Sequence, residues 1–211
     1  MDTVETQEYK GYTINVYPDI VGEENDPRRW SNLGTMVCFH GRANLGDEHF
    51  FDHPHDLVDF IQDKNIISLP LYLYEHSGCR MNTEPFSCCW DSGQVGYIYV
   101  DLETIREEYG VKRVSAQLRE KVKDVLQSEV DVYDNYIAGF VYGYNVEDSD
   151  GDEFGGVWGY YGFDYEQNGL LEAARDEIDV AIKTRRDSRA TQLKTFIRHK
   201  VPLYKRTFVI R

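Results

Sequence analysis

The chain has 211 residues, 41% hydrophobic and 28% charged, with a net charge of −14. That balance excludes a disordered or fibrous chain and leaves room for one large domain or a closely joined pair. No apolar run reaches the roughly 18 residues of a membrane span, so no spanning helix is expected.

The opening, MDTVETQEYKG, is acidic and polar, and no signal peptide is visible. The four cysteines, Cys38, Cys79, Cys88 and Cys89, fit no disulfide framework. A reducing compartment, the cytoplasm, is therefore expected. Tyrosine is abundant, with 16 in the chain, and its apolar ring and polar tip suit half-buried sheet faces and interfaces.

Taken in order, Tyr9–Pro18 alternates as a strand with Tyr12, Ile14 and Val16 on one face. An irregular loop, Asp19–Leu33, leads to a second strand at Gly34–His40. Pro54–Gln62 is predicted as a short helix with Leu57, Val58, Phe60 and Ile61 inward. Two buried strands, Ile66–Tyr74 and Val95–Val100, flank a long polar loop, Glu75–Gln94. Asp101 caps a helix over Leu102–Tyr109 that Gly110 ends, and Ser115 caps a longer one over Ala116–Tyr133. Ile137–Val146 and Phe154–Phe163 form an aromatic hairpin about the turn Glu147–Glu153. Helices are predicted over Leu171–Arg185 and from Ser188 to His199, with an edge strand at Thr207–Ile210. The fold class is α+β, a mainly antiparallel sheet with helices packed on one side and the aromatic hairpin at 137–163. One domain over 1–211 is expected, with a sub-boundary available near 110–115 that would divide it into 1–112 and 113–211.

Long structureless loops tend to be functional, and Glu75–Gln94 holds three of the four cysteines together with His76, Trp90 and Asp91. Cys88 with His76 as base and Asp91 to orient it would satisfy nucleophile–base–orienter chemistry. His and Cys also suit zinc, but H-x2-C-x8-CC is not a zinc-ligand spacing. The plainer alternative is an ordered loop with buried thiols. His49, His53 and His55 are the other metal candidates, weighed against capping of the helix that Pro54 opens, and capping is preferred. No metal and no cofactor are therefore assigned. Asp148–Glu153, DSDGDE, lacks the glycine and glutamate positions of a calcium loop and reads as a hairpin turn.

Charge is unevenly distributed. Residues 124–174 carry 12 acidic side chains and no Lys or Arg, whereas 175–211 carry 11 basic and 4 acidic ones. The acidic stretch should set up a one-sign field unless the basic end folds over it. Phosphate contacts are available only at that basic end, through Lys194, Arg198, Lys205 and Arg206.

Several segments together carry a resemblance: NLGTMVCFH (Asn32–His40), NLGD (Asn44–Asp47), LPLYLYEHSG (Leu69–Gly78), PFSCCWDSGQVGYIYV (Pro85–Val100), VYGYNVED (Val141–Asp148) and VWGYYGFD (Val157–Asp164). They resemble a family of hypothetical proteins from bacteriophages, archaeal viruses and mobile elements, for which no chemistry is assigned. The resemblance implies a mobile-element context, hence a host-cell cytoplasm, and no catalytic residues. The family pattern has Cys-Pro-Trp where this chain has Cys88-Cys89-Trp90, and often a Cys where Val157 stands.

Two functions are carried forward. One is an acidic, non-enzymatic protein that inhibits a host or defence factor with a basic surface, by nucleic-acid mimicry through Glu147, Asp148, Asp150, Asp152, Glu153 and Asp164. The other is a small thiol- or metal-dependent enzyme using the 76–94 loop. A homo-oligomer is left open.

Overall fold

A computed structural model describes residues 2–20, 22–202 and 205. The strand expected at Thr207–Ile210 and the contact residue Arg206 lie outside the described residues. In chain order the elements are β1 (Glu5–Tyr9), β2 (Tyr12–Pro18), β3 (Thr35–Cys38), α1 (Pro54–Ile61), β4 (Ile66–Glu75), β5 (Cys79–Asn82), β6 (Ser92–Asp101), α2 (Leu102–Tyr109), α3 (Ala116–Ile137), β7 (Val141–Glu147), β8 (Glu153–Tyr161) and α4 (Leu170–Lys200). Two antiparallel four-stranded sheets with these helices make the chain α+β.

The chain divides into two compact units with interleaved segments. The first draws on the described residues within 1–18, 142–160 and 164–211, and the second on 19–141 with 161–163. The stretch 110–115 lies inside the second unit, between α2 and α3. The changeovers fall at 18/19, 141/142, 160/161 and 163/164.

The first unit has the strand order β1-β2-β7-β8. Where the sequence suggests one strand from Tyr9, the structure has a hairpin, turning at Lys10 (φ 52°) and Gly11 (φ 81°) and pairing Tyr9 with Tyr12. Positive φ at both central residues is the hairpin turn whose twist matches the flanking strands. Ile14, Val16, Tyr144 and Val146 pack on Leu170, Leu171, Ala174 and Ile178 of α4, so this sheet buries one face against one helix. Each Val, Leu or Ile side chain among these contributes about 1.5–3 kcal/mol by leaving water. Because side chains alternate along a strand, Asn15, Tyr17, Gly143 and Asn145 lie on the other face.

The second unit has the order β3-β6-β4-β5. Met36, Leu73, Ile98 and Val100 meet Val122, Leu126 and Val130 of α3 on one face. On the other face Val37 meets Leu57 of α1 and Phe51. Helices therefore cover both faces here, not one side as the sequence suggested. The alternation of Met36 and Val37 feeds one core each.

Several local expectations are met. The Asp101 side chain accepts the backbone N–H groups of Glu103 and Thr104, Ser115 accepts that of Leu118, and Gly110 ends α2 at φ 62°. Others are corrected. Val58 and Phe60 of α1 are exposed, leaving Leu57 as its buried residue. α3 continues to Ile137, so the aromatic hairpin starts only at Val141, after Gly139 turns the chain at φ 77°. The two helices predicted after Gly169 are one, α4, because no Gly or Pro interrupts 170–201.

Candidate functional site

The 76–94 loop is shorter than the sequence implies. β5 folds back on β4 with Tyr74 opposite Arg80 and Glu75 opposite Cys79. The turn between them is closed by the His76 N–H on the Gly78 carbonyl at 3.2 Å. What remains, 83–91, is pinned at its far end by the Glu75 N–H on the Asp91 carbonyl at 2.8 Å. Within it the Cys88 thiol donates to Asp91 Oδ2 at 3.5 Å, and His76 Nδ1 lies 3.5 Å from the same oxygen. Ser92 Oγ donates to the Cys88 carbonyl at 2.5 Å. Tyr74 packs on Phe86, with centroids 5.6 Å apart.

The structure thus brings Cys88, His76 and Asp91 together, but with the carboxylate between the other two. A thiol nucleophile needs the imidazole within reach of its own proton. Among the described residues, Cys88 and His76 each bond Asp91 and do not bond each other. Trp90 is 92% exposed beside them, and Cys89 is exposed.

The buried thiol is elsewhere. Cys38 sits in β3, where burial, and then the Asp47 carboxylate, push its pKa up to about 12. At pH 8 only about one Cys38 in ten thousand is a thiolate, the reactive form. A soluble alkylating reagent followed by peptide mass spectrometry should therefore label Cys89 first and Cys38 last. Equal rates would mean that β3 opens freely.

The three histidines weighed as metal candidates do not converge. His49 packs against Phe39, with centroids 5.0 Å apart, while the His53 and His55 rings stack on each other at 5.4 Å. Asp56 Oδ2 accepts the His53 N–H at 3.1 Å, so this segment starts α1. No group of three His, Cys, Asp or Glu among the described residues could hold a metal ion.

The acidic stretch is not cation-free in three dimensions. Arginines from outside 124–174 enter it. Arg28 pairs with Glu129 at 3.0 Å and Arg80 with Asp134 at 2.6 Å. In the first unit, Arg175 pairs with Glu166 at 2.5 Å and Arg185 with Asp148 at 2.9 Å. The last two lie at the surface with one half-buried partner each, where an ion pair contributes little to stability, but they remove charge from the field. The Arg185 guanidinium and the backbone N–H groups of Asp150 and Asp152 hold the Asp148 carboxyl below its usual range.

Of the six carboxylates expected to bind a partner, four have internal roles. Asp148 organises the turn. Glu147 accepts from Asn15 Nδ2 and Glu153 from Asn145 Nδ2, each at 2.7 Å. Asp164 accepts the Gln167 N–H at 3.0 Å. Asp150 and Asp152 are exposed at the hairpin tip and no cation pairs with either among the described residues. At the basic end, Lys194 is exposed on α4, whose turns from Lys183 to Phe196 are exposed on every side. Arg198 lies in the last turn of α4. The Lys205 N–H donates to the Pro202 carbonyl at 2.9 Å.

Sequence reasoning missed two features. Arg28, in a loop assigned no role, is the centre of a buried ion cluster, forking onto Asp47 and reaching Glu129. A cleft of about 410 Å³ lies beside it, between Pro27 and Trp30 on one wall and Val125 and Val132 of α3 on the other. The only forewarning was an Arg and a Trp in an otherwise polar loop.

Fold and geometry together define an α+β protein with an ordered aromatic and thiol-bearing loop in one unit and an acidic hairpin in the other. No known protein-family profile matches the chain, and no curated protein or solved structure matches it. Among the described residues no helix is long and apolar enough to cross a membrane.

Proposed function

We propose that the chain is a virus- or mobile-element-encoded acidic interaction protein that inhibits a host or defence factor, acting in the host cytoplasm. Its carboxylates stand in for the phosphates that a basic partner normally binds. The observation that carries this reading is the hairpin tip. Asp148 fixes the turn by accepting the N–H groups of Asp150 and Asp152, so the Asp150 and Asp152 carboxylates project from a defined backbone. The net charge of −14 and the resemblance to mobile-element proteins support it. The four internal arginine pairs narrow the reading: mimicry works through the tip, not through the whole of 124–174.

The test is capture of partners from host lysate on the immobilised protein, followed by affinity measurement across a salt series. Neutralising Asp150, Asp152 and Glu153 (to Asn, Asn and Gln) should weaken the captured complex. It should also flatten the dependence of log affinity on log salt by about one for each lost ionic contact. Binding indifferent to both salt and these substitutions would sink the proposal.

A second reading rests on Cys88 and His76 sharing one oxygen of Asp91. In this reading the chain is a thiol-dependent enzyme in which His76 takes the Cys88 proton and Asp91 orients it. In that case Cys88→Ala and His76→Ala abolish activity, whereas a charge-driven inhibitor keeps nearly all of its binding.

A further inference from the structure

We propose that β8 is a docking edge, adding an extended basic segment of a partner protein as a further strand of the first unit's sheet. Among the described residues β8 ends the order β1-β2-β7-β8 and has one strand neighbour. An edge strand presents unpaired N–H and C=O groups, and proteins usually blunt such edges with shortness, charge, Pro or a bulge. The other three edges are blunted. β3 and β5 are four residues each, and the isolated bridge from Val37 to Gly46 covers β3. β1 has five residues and carries Glu5 and Glu8.

β8 has nine residues, EFGGVWGYY, with no Lys, Arg or Pro and one charge, Glu153, at its start. Gly159, at φ 88°, interrupts the strand only after the run 153–158. That run exposes Phe154, Val157 and Trp158, the last two at 45% and 47%. Trp158 is held in advance. A Cβ at Gly143 would lie 2.2 Å from its indole, so only glycine there lets the ring lie on β7, and Tyr17 flanks it at 6.2 Å. An ordered aromatic side chain beside an open strand is the arrangement that strand-adding domains use, with backbone bonds supplying affinity and alternate side chains specificity.

The chemistry of the occupant follows from charge, and this part rests on the reading proposed above. The start of β8 adjoins Asp150, Asp152 and Glu153, so an added strand with Lys or Arg at alternate positions brings them to these carboxylates. A second copy of this chain would bring another charge of −14 and is disfavoured by repulsion.

The test uses the full chain and a short peptide alternating lysine with valine. Its control is the same peptide N-methylated on consecutive residues, which keeps side chains and charge but removes donors along both edges. Titration calorimetry should show the parent peptide binding about tenfold or more tightly than the N-methylated one, and tenfold is about 1.4 kcal/mol. Val157→Lys should weaken the parent peptide similarly while leaving circular dichroism and the thermal midpoint unchanged. The peptide comparison needs no variant, so misfolding of Val157→Lys would not blunt the test. Equal binding of both peptides would overturn the edge and leave charge mimicry standing. A dimer in analytical ultracentrifugation that Val157→Lys abolishes would overturn the proposed occupant in favour of a second copy. Loss of binding on N-methylation, with no effect of Asp150→Asn and Asp152→Asn, would support strand addition and sink the carboxylate reading.

Discussion

Arg28→Ala should lower the stability of the second unit by about 3–5 kcal/mol, the usual consequence of removing one partner from a buried ion pair. The guanidinium is only 4% exposed. Its Nε and one terminal nitrogen fork onto the two oxygens of Asp47 at 3.0 and 2.7 Å, and the other terminal nitrogen reaches Glu129 at 3.0 Å. It also donates to the Gly34 carbonyl at 2.6 Å. Burial opposes its charge, but these bonds to Asp47 and Glu129 hold the guanidinium protonated beyond its ordinary range.

Alanine would leave two carboxylates facing each other's field with no cation. Neither can swing out to water without loss. Asp47 also accepts the Met36 N–H at 2.7 Å, and Glu129 accepts those of Leu33 and Gly34 at 2.8 and 3.2 Å. Arg28→Lys should recover only part of the loss, since an ammonium cannot supply the fork. Adding Asp47→Asn and Glu129→Gln to Arg28→Ala should restore stability relative to Arg28→Ala alone, because no buried charge is left unpaired. Denaturant unfolding followed by Trp fluorescence reads these differences, with Trp30 close by in sequence. A loss below about 1 kcal/mol for Arg28→Ala would mean that the cluster is not desolvated.

Gly96→Ala is the second large effect. Gly96 pairs with Cys38 where β6 meets β3, and a Cβ there would lie 1.8 Å from the Val37 carbonyl oxygen and 2.9 Å from its carbon. Both are backbone atoms of a neighbouring strand, so relief requires parting β3 from β6. The expected loss is about 3 kcal/mol or more, at or beyond the upper end for overpacking. Gly34→Ala is the internal control. Its Cβ would meet Leu126 Cδ2 at 2.4 Å and Ile98 Cγ1 at 2.8 Å, which are side-chain atoms that can rotate. It should cost about 1–3 kcal/mol. The ordering of the two variants, read from their denaturation midpoints at equal m-value, is the decisive quantity, and a milder Gly96→Ala would contradict the strand spacing.

Both predictions fall on residues of the sequence segments singled out above or on their direct partners. Gly34, Asp47 and Gly96 belong to NLGTMVCFH, NLGD and PFSCCWDSGQVGYIYV, and each is placed by packing or by a buried bond. Much of the motif content of this chain is thereby explained by the core of the second unit. The 83–91 loop, with its 92% exposed Trp90, is one motif stretch that this core does not explain.

The sequence by itself determined the central parts of the strands β3, β4 and β6, the capped starts of helices α2 and α3, and the hairpin turn at Glu147–Glu153. These signals are local: period-two alternation, a cap within three residues of the helix it starts, an Asp-Gly turn. Tertiary structure alone decided which charges meet. Arg28 and Glu129 are 101 residues apart and Arg185 and Asp148 are 37 apart. A composition profile therefore saw an unbroken acidic stretch where, among the described residues, four arginines pair with its carboxylates. It also decided that β8 would be an edge, since strand order depends on which elements bury their apolar faces together and not on the order in which the chain supplies them.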